Sequence, residues 1–192
     1  GLSGAGNNIF TPAEAGVGNH SVIYGMDTTF NDTVVVFRDN FSSNKGWTGY
    51  GNVWQRDSTY YSTCASVTIG FSTITSRNPA IDHTASSNDN YVLGTFIGEC
   101  YEPNMPQTYW ITSPVINCSN IYDVRLSLWS IDAFQNDGND NKYVEVLDKN
   151  AVWQTISYKG NSSFADTDWE YIFRNVAIHA DNNPNFQIRF GI

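Results

Sequence analysis

The sequence predicts an all-β domain built as a two-sheet antiparallel sandwich. Three observations carry that expectation. Short runs of alternating apolar and polar residues recur along the 192 residues, the period-two signature of half-buried strands. Gly, Pro, Asn and Asp punctuate those runs, as turn residues do. No segment shows the i, i+3, i+4, i+7 apolar stripe of an amphipathic helix. Roughly ten short strands without helices bury their apolar faces most simply as two stacked sheets.

The elements follow in order. The first thirty residues hold six Gly and little alternation before Ser21–Tyr24. From Thr33 the chain is strand-like. Thr33–Arg38 is β-branched and apolar, and Val67–Thr75, Asn90–Ile97 and Thr108–Ile116 read as strands. Val124, Leu126 and Leu128 alternate with Arg125, Ser127 and Trp129. Val144 and Val146 alternate with Tyr143, Glu145 and Leu147. Ala151–Tyr158, Trp169–Val176 and Asn185–Phe190 complete the set. In the last, Phe186, Ile188 and Phe190 face one way, with Gln187 and Arg189 opposite. The six Trp (47, 54, 110, 129, 153 and 169) are spread along the chain, as core fillers would be.

Composition narrows the class. At 21.4 kDa and 41% apolar residues, the chain can bury a core without metals or disulfides. Only 15% of residues are charged, well below the usual quarter or so. Polarity comes instead from 22 Asn, 18 Ser and 16 Thr. The net charge of −9 repels phosphate backbones and argues against a nucleic-acid partner. No apolar run approaches the roughly 20 residues of a membrane-spanning helix. Gly1 is not an initiator Met and no leader follows it, so the stretch is expected to be an excerpt of a longer secreted or surface chain.

Cys64, Cys100 and Cys118 are an odd number and cannot all pair within one chain. If Asn90–Ile97 and Thr108–Ile116 form a hairpin, Cys100 and Cys118 lie about nine rows, or ~30 Å, apart. Buried thiols are therefore expected, with Cys64 left open as a partner for either.

Four groups of residues carry a resemblance. They are Phe37-Arg38-Asp39-Asn40-Phe41 with Gly46-Trp47; Asp82-His83-Thr84 with Asn90-Tyr91-Val92-Leu93-Gly94; Tyr109-Trp110-Ile111-Thr112-Ser113-Pro114-Val115-Ile116; and Tyr143-Val144-Glu145-Val146, Trp153, Trp169 and Phe186-Gln187-Ile188-Arg189-Phe190. In this order they resemble MAM domains and their bacterial relatives, including cleaved-adhesin-type modules, over residues 34–192. The resemblance implies a jelly-roll topology for residues 31–192 and adhesion outside the cell as the role. The disulfide pattern of vertebrate MAM domains is absent, so the bacterial branch fits. Phe10-Thr11-Pro12-Ala13, Ala15-Gly16-Val17-Gly18 and His20-Ser21-Val22-Ile23-Tyr24 resemble the end of an Ig-like repeat of large bacterial surface proteins. Residues 1–30 are accordingly expected to close a preceding repeat or form a linker. The family's final strand would follow Phe190, so truncation is expected at Ile192, ahead of strand donation by another chain.

The resemblance also places a structural cation at Asp39 and Asp82. Hard carboxylate oxygens there suit Ca²⁺. The plainer reading makes Asp39 a turn residue and Asp82 a loop cap. Asn136-Asp137-Gly138-Asn139-Asp140-Asn141 has the oxygen-rich look of a calcium loop, yet Asn, Asp and Gly also simply make turns. His83 is expected to orient its loop by hydrogen bonding. Tyr60, Tyr61, Tyr101 and Tyr158 are candidates for sugar stacking, against a core-filling role.

Catalytic signals are weak. The three His show no His-x-x-x-His spacing, no Cys-x-x-Cys occurs, and Gly70-Phe71-Ser72-Thr73-Ile74 is not a nucleophile elbow. Five Asn-x-Ser/Thr sequons, at Asn19, Asn31, Asn40, Asn117 and Asn161, hardly exceed the roughly four that composition alone supplies. Asp27-Thr28-Thr29, Asp32-Thr33-Val34 and Asp57-Ser58-Thr59 resemble a bacterial O-glycosylation site. The expected role is therefore a non-catalytic adhesion module, secreted or on a bacterial surface, taking a glycan or surface-protein ligand beside neighbouring domains. The alternatives are a carbohydrate-binding accessory domain of a secreted hydrolase, or an array spacer completed by strand donation.

Overall fold

The computed structural model of the chain describes residues 20–25, 33–69, 72–83, 89–99, 105–134, 141–160, 164–166 and 168–192. They form antiparallel strands and one helical turn. The first four-stranded sheet is ordered β13 (Glu170–Asn175), β8 (Val124–Ser130), β1 (His20–Gly25) and β2 (Thr33–Asp39). The second is ordered β11 (Trp153–Gly160), β10 (Asn141–Leu147), β14 (Gln187–Gly191) and β7 (Trp110–Thr112). Three small ladders flank them: β3 (Trp54–Ser58) with β6 (Tyr91–Thr95), β4 (Ser62–Ile69) with β5 (Ser72–Asn78), and β9 (Ala133–Phe134) with β12 (Phe164–Ala165). The turn of helix α1 (Ala177–Ala180) buries Ala180.

Alternation explains how the sheets meet. Val124, Leu126 and Leu128 of β8 and Ile172 of β13 are buried from the first sheet. Val144 and Val146 of β10, Ile188 and Phe190 of β14 and Ile111 of β7 are buried from the second. All belong to one apolar core with Phe41, Trp47, Phe186 and Cys118. The arrangement is sandwich-like, with each sheet covering the apolar face of the other. At the sheet ends, Lys142 of β10 bonds both oxygens of Asp132, at 2.6 and 2.7 Å. Lys159 of β11 reaches Asp132 at 3.4 Å and Glu170 of β13 at 3.0 Å. These ion pairs tie the second sheet to the end of the first.

Several expected elements differ from those observed. Val67–Thr75 is not one strand: Val67 pairs with Ile74, Thr68 with Thr73 and Ile69 with Ser72. Gly70, in the middle of the run, is the turn residue that separates two strands there in the sequence. The expected hairpin of Asn90–Ile97 with Thr108–Ile116 does not form. Instead β6 pairs with β3, placing Tyr91 opposite Ser58, and β7 pairs with β14, placing Trp110 opposite Gly191. Cys118 is a buried free thiol, pushed up to about 12 by desolvation and by the nearby Asp181 carboxylate. The Cys64 side chain and Cys100 lie outside the described residues. Within residues 1–30, His20–Gly25 is paired on one side with β2 and on the other with β8.

The β10–β11 turn illustrates how short polar residues end strands. Ala151 adopts φ 59°, which the Asp148 side chain helps to fix. Asp148 Oδ1 accepts the N–H groups of Asn150 at 2.8 Å and Val152 at 2.9 Å, and Oδ2 accepts Gln154 Nε2 at 3.0 Å. These bonds, the one from Val152 foremost, hold the carboxyl below its ordinary value of 3.8. A depressed acid stabilises the fold fully above its unfolded value and loses that contribution as pH falls through the folded one. We therefore expect Asp148→Asn to flatten the acid side of the stability profile. Urea midpoints measured from neutral pH to below about 4 check this, and parallel wild-type and variant profiles would refute it.

Candidate binding face

The two expected metal-site residues each neighbour residues at the β3–β6 ladder: Asp39 through Arg56 and Asp82 through Asn90. Asp39 ends β2 and is fully buried. Its Oδ1 accepts the Phe41 N–H at 2.8 Å, and its Oδ2 accepts the Trp47 indole N–H at 2.8 Å. Burial pushes its carboxyl up, against the pull of those two bonds and of the Lys45 and Arg56 charges. Lys45 Nζ stands 4.0 Å from Oδ1. Asp82 is also buried, and its backbone N–H donates to Asn90 Oδ1. Asn90, at φ 59°, also donates to the carbonyls of Thr59 and Ala80. Arg56 links the two neighbourhoods: it donates to the Phe41 carbonyl, and its guanidinium lies 4.5 Å over Tyr91. Each Asp39 oxygen retains a lone pair. Among the described residues, no group of three or more His, Cys, Asp or Glu is placed to hold a metal. Asn136–Asp140 lie outside the described residues.

His83 is held by aromatic rings. Its ring stacks on Trp129 of β8, with centroids 3.8 Å apart, and meets the edge of Trp169 at 6.1 Å. Its Nδ1 and the Trp129 Nε1 are buried without hydrogen-bond partners among the described residues. Ring packing on Trp129 and Trp169 sets His83 against the first sheet.

The outer face of the second sheet carries the densest set of chemically useful groups. Strand alternation requires them there. With Val144, Val146, Ile188, Phe190 and Ile111 facing inward, their neighbours point outward. Register then aligns these neighbours in rows across the strands. Tyr158, Tyr143, Gly191 and Trp110 form one row; Thr155, Glu145, Arg189 and Thr112 form the next; Trp153, Leu147 and Gln187 form the third.

The rows interlock. The Arg189 guanidinium lies 3.9 Å over the Trp110 ring and 4.1 Å over the Trp153 ring. Cation–π attraction on both faces fixes its plane. Its Nε and Nη2 donate to Glu145 Oε2 at 2.8 and 2.5 Å, and Thr155 Oγ1 donates to Glu145 Oε1 at 2.8 Å. Side-chain exposures of 22% for Arg189 and 12% for Glu145 make this more than a solvated surface pair. Tyr143 packs against Trp110 at 5.7 Å and Tyr158 at 5.2 Å. Tyr158 is half exposed and donates its hydroxyl to Asn141.

Two glycines make room for Trp110. A Cβ on Gly191 would lie 2.6 Å from the indole ring, so the absent side chain is where that ring lies. Gly49 adopts φ 108°, and a Cβ there would meet the Trp110 carbonyl at 2.2 Å. The neighbouring Thr48 bonds Thr112 through N–H and carbonyl, clamping this segment against β7.

The expectation that the Trp fill the core holds for Trp47, which is buried, but not for Trp110 and Trp153, which are partly exposed on this face. Of the candidate sugar-stacking tyrosines, Tyr158 joins Tyr143 in the row above. Tyr60 and Tyr61 are exposed beyond β3, and Tyr101 lies outside the described residues. Comparison of the chain with protein-family models, curated proteins and solved structures finds no significant match.

Gly191→Ala is expected to displace the Trp110 indole and cost about 1–3 kcal/mol through overpacking. Near-UV circular dichroism and denaturant midpoints check this, and an unchanged spectrum would refute the close approach.

Proposed function

We propose that this chain is a non-catalytic binding module of a secreted or bacterial cell-surface protein. Its ligand is a glycan or surface protein, and the outer face of the second sheet is its contact surface. The observation that carries the reading is the cluster of Trp110, Arg189, Trp153, Tyr143 and Tyr158, gathered from three adjacent rows on the outer face of the second sheet. Aromatic side chains held on paired strands, Tyr158 half exposed and Trp110, Tyr143 and Trp153 partly so, give a pre-organised contact surface at little entropic cost. Among the described residues, no helix is long and apolar enough to cross a membrane.

The MAM-like, cleaved-adhesin-like jelly-roll identity belongs to this proposal and is supported by the ordered motifs from Phe37 to Phe190. The boundary near residue 30 belongs to it too, although β1 is paired into the first sheet. The reading predicts that the full chain binds members of a panel of extracellular glycoproteins and insoluble polysaccharides in surface plasmon resonance. Trp153→Ala should then weaken whichever interaction is found. Binding indifferent to that change would move the contact surface elsewhere.

A structural Ca²⁺ at Asp39 and Asp82 is the second part of the proposal, resting on the resemblance and on Asp39's spare lone pairs. Saturation at a hundredfold over the dissociation constant adds about 2.7 kcal/mol and raises the unfolding midpoint by roughly 5–11 °C for a chain of this size. Thermal melts with Ca²⁺ and with chelator, on wild type and Asp82→Ala, test it. Superimposed melts would remove the cation.

A further inference from the structure

We infer that the ligand of the outer face of the second sheet is a neutral glycan chain, lying along the Tyr158–Tyr143–Trp110 row beside the clamped Arg189. This inference rests on the binding reading above and names the chemistry of its ligand.

Three features of the face select a sugar. The first is its unused hydrogen-bond capacity. Arg189 spends Nε and Nη2 on Glu145, and Nη1 has no protein acceptor among the described residues. The indole N–H groups of Trp110 and Trp153 and the hydroxyl of Tyr143 likewise have none. None of these four is among the buried unpartnered atoms, so all are within reach of solvent. An apolar ligand would strand these donors at the cost of their hydration. A hydroxyl-rich ligand satisfies them. The second feature is the set of rings. Tyr143 packs against both Trp110 and Tyr158, with centroids 5.7 and 5.2 Å away and rings tilted by 44° and 47°, so the row offers a continuous line of ring edges and faces. Half-exposed Tyr158 offers its ring to the apolar C–H side of a pyranose.

The third feature is charge. The Arg189 cation is matched by the Glu145 carboxylate within the face itself, so the face presents no net charge to a ligand. The chain as a whole carries −9 and repels sulfated or uronate polymers. Clamping between two indoles pre-pays the ordering of the guanidinium, leaving Nη1 as a fixed donor to a sugar oxygen. Lys in its place would keep the charge and lose the planar fork.

Calorimetry on the full chain tests this, with neutral hexamers of β-1,4-linked glucose, xylose, mannose and N-acetylglucosamine as probes. Heparin and polygalacturonate are the acidic comparators, and an enzymatically deglycosylated surface glycoprotein is the protein comparator. At least one neutral hexamer should bind. Tyr158→Ala should weaken it by about tenfold or more, and Arg189→Lys should do the same. Tyr171→Ala, on the opposite sheet, should leave it unchanged. Near-UV circular dichroism shows whether Arg189→Lys stays folded, and the half-exposed Tyr158 gives an answer independent of that variant. Preference for the acidic polymers overturns the neutral class. Binding of neutral hexamers untouched by either variant places the site elsewhere and overturns the inference. Binding of the deglycosylated protein alone, lost in Tyr158→Ala, overturns the glycan and keeps the binding face. Silence from every probe overturns both.

Discussion

Strand β14 can bury Ile188 and Phe190 only by turning Gln187, Arg189 and Gly191 to the other side. Most of the molecule's organisation depends on that two-residue period. On the inner side it supplies the centre of the shared core, where Phe190 stacks on Trp47 with centroids 5.9 Å apart. Trp47 in turn donates to Asp39, so the end of β2 is held by the same contact. On the outer side it sets Arg189 beside Glu145 and leaves a gap at Gly191 for Trp110. One strand thus couples the packing of the interior to the layout of the candidate binding face. A change made for one side is felt on the other.

Much of this alternation was legible in the residues. The phases of β8, β10 and β14 follow directly from Val124/Leu126/Leu128, Val144/Val146 and Phe186/Ile188/Phe190. Strand pairing was not legible. Period-two patterning says which residues share a face, not which strand lies alongside. The expected β6–β7 hairpin failed on that point, since both strands found partners distant in the chain. Val67–Thr75 failed because Gly70 was read as part of the β-branched run and not as the turn residue it also is.

The candidate face was half visible for the same reason. Alternation alone turns Tyr143, Glu145 and Arg189 outward. Trp110 and Trp153 are aromatic, and an aromatic residue in a strand is more economically assigned to the core. Only the register between β7, β14, β10 and β11 brings them around one guanidinium. Asp39 was visible as a carboxylate in a distinctive motif. Its buried bonds to the Phe41 amide and the Trp47 indole needed the folded chain, because the residue pattern does not say where an acid's lone pairs point. His83 was visible too, but its partner Trp129 lies on a strand some forty-six residues away in the chain and answers it with a ring face.

The position of β1 has a kinetic consequence. Its hairpin with β2 is local, but its other neighbour is β8, and Ser21 faces Ser127 across more than a hundred residues. Both partners run antiparallel to β1 and therefore parallel to each other, so no short loop could join them in its absence. The first sheet cannot close until the middle of the chain has been made and brought back. Until then the β1 edge of the hairpin, like the β2 edge that stays terminal in the sheet, exposes a row of unpaired N–H and C=O groups. Loop-closure entropy must be met before that long-range pairing is rewarded. Assembly of this fold is thus expected to be slow and late-closing, with its first-made strands most in need of shielding from one another.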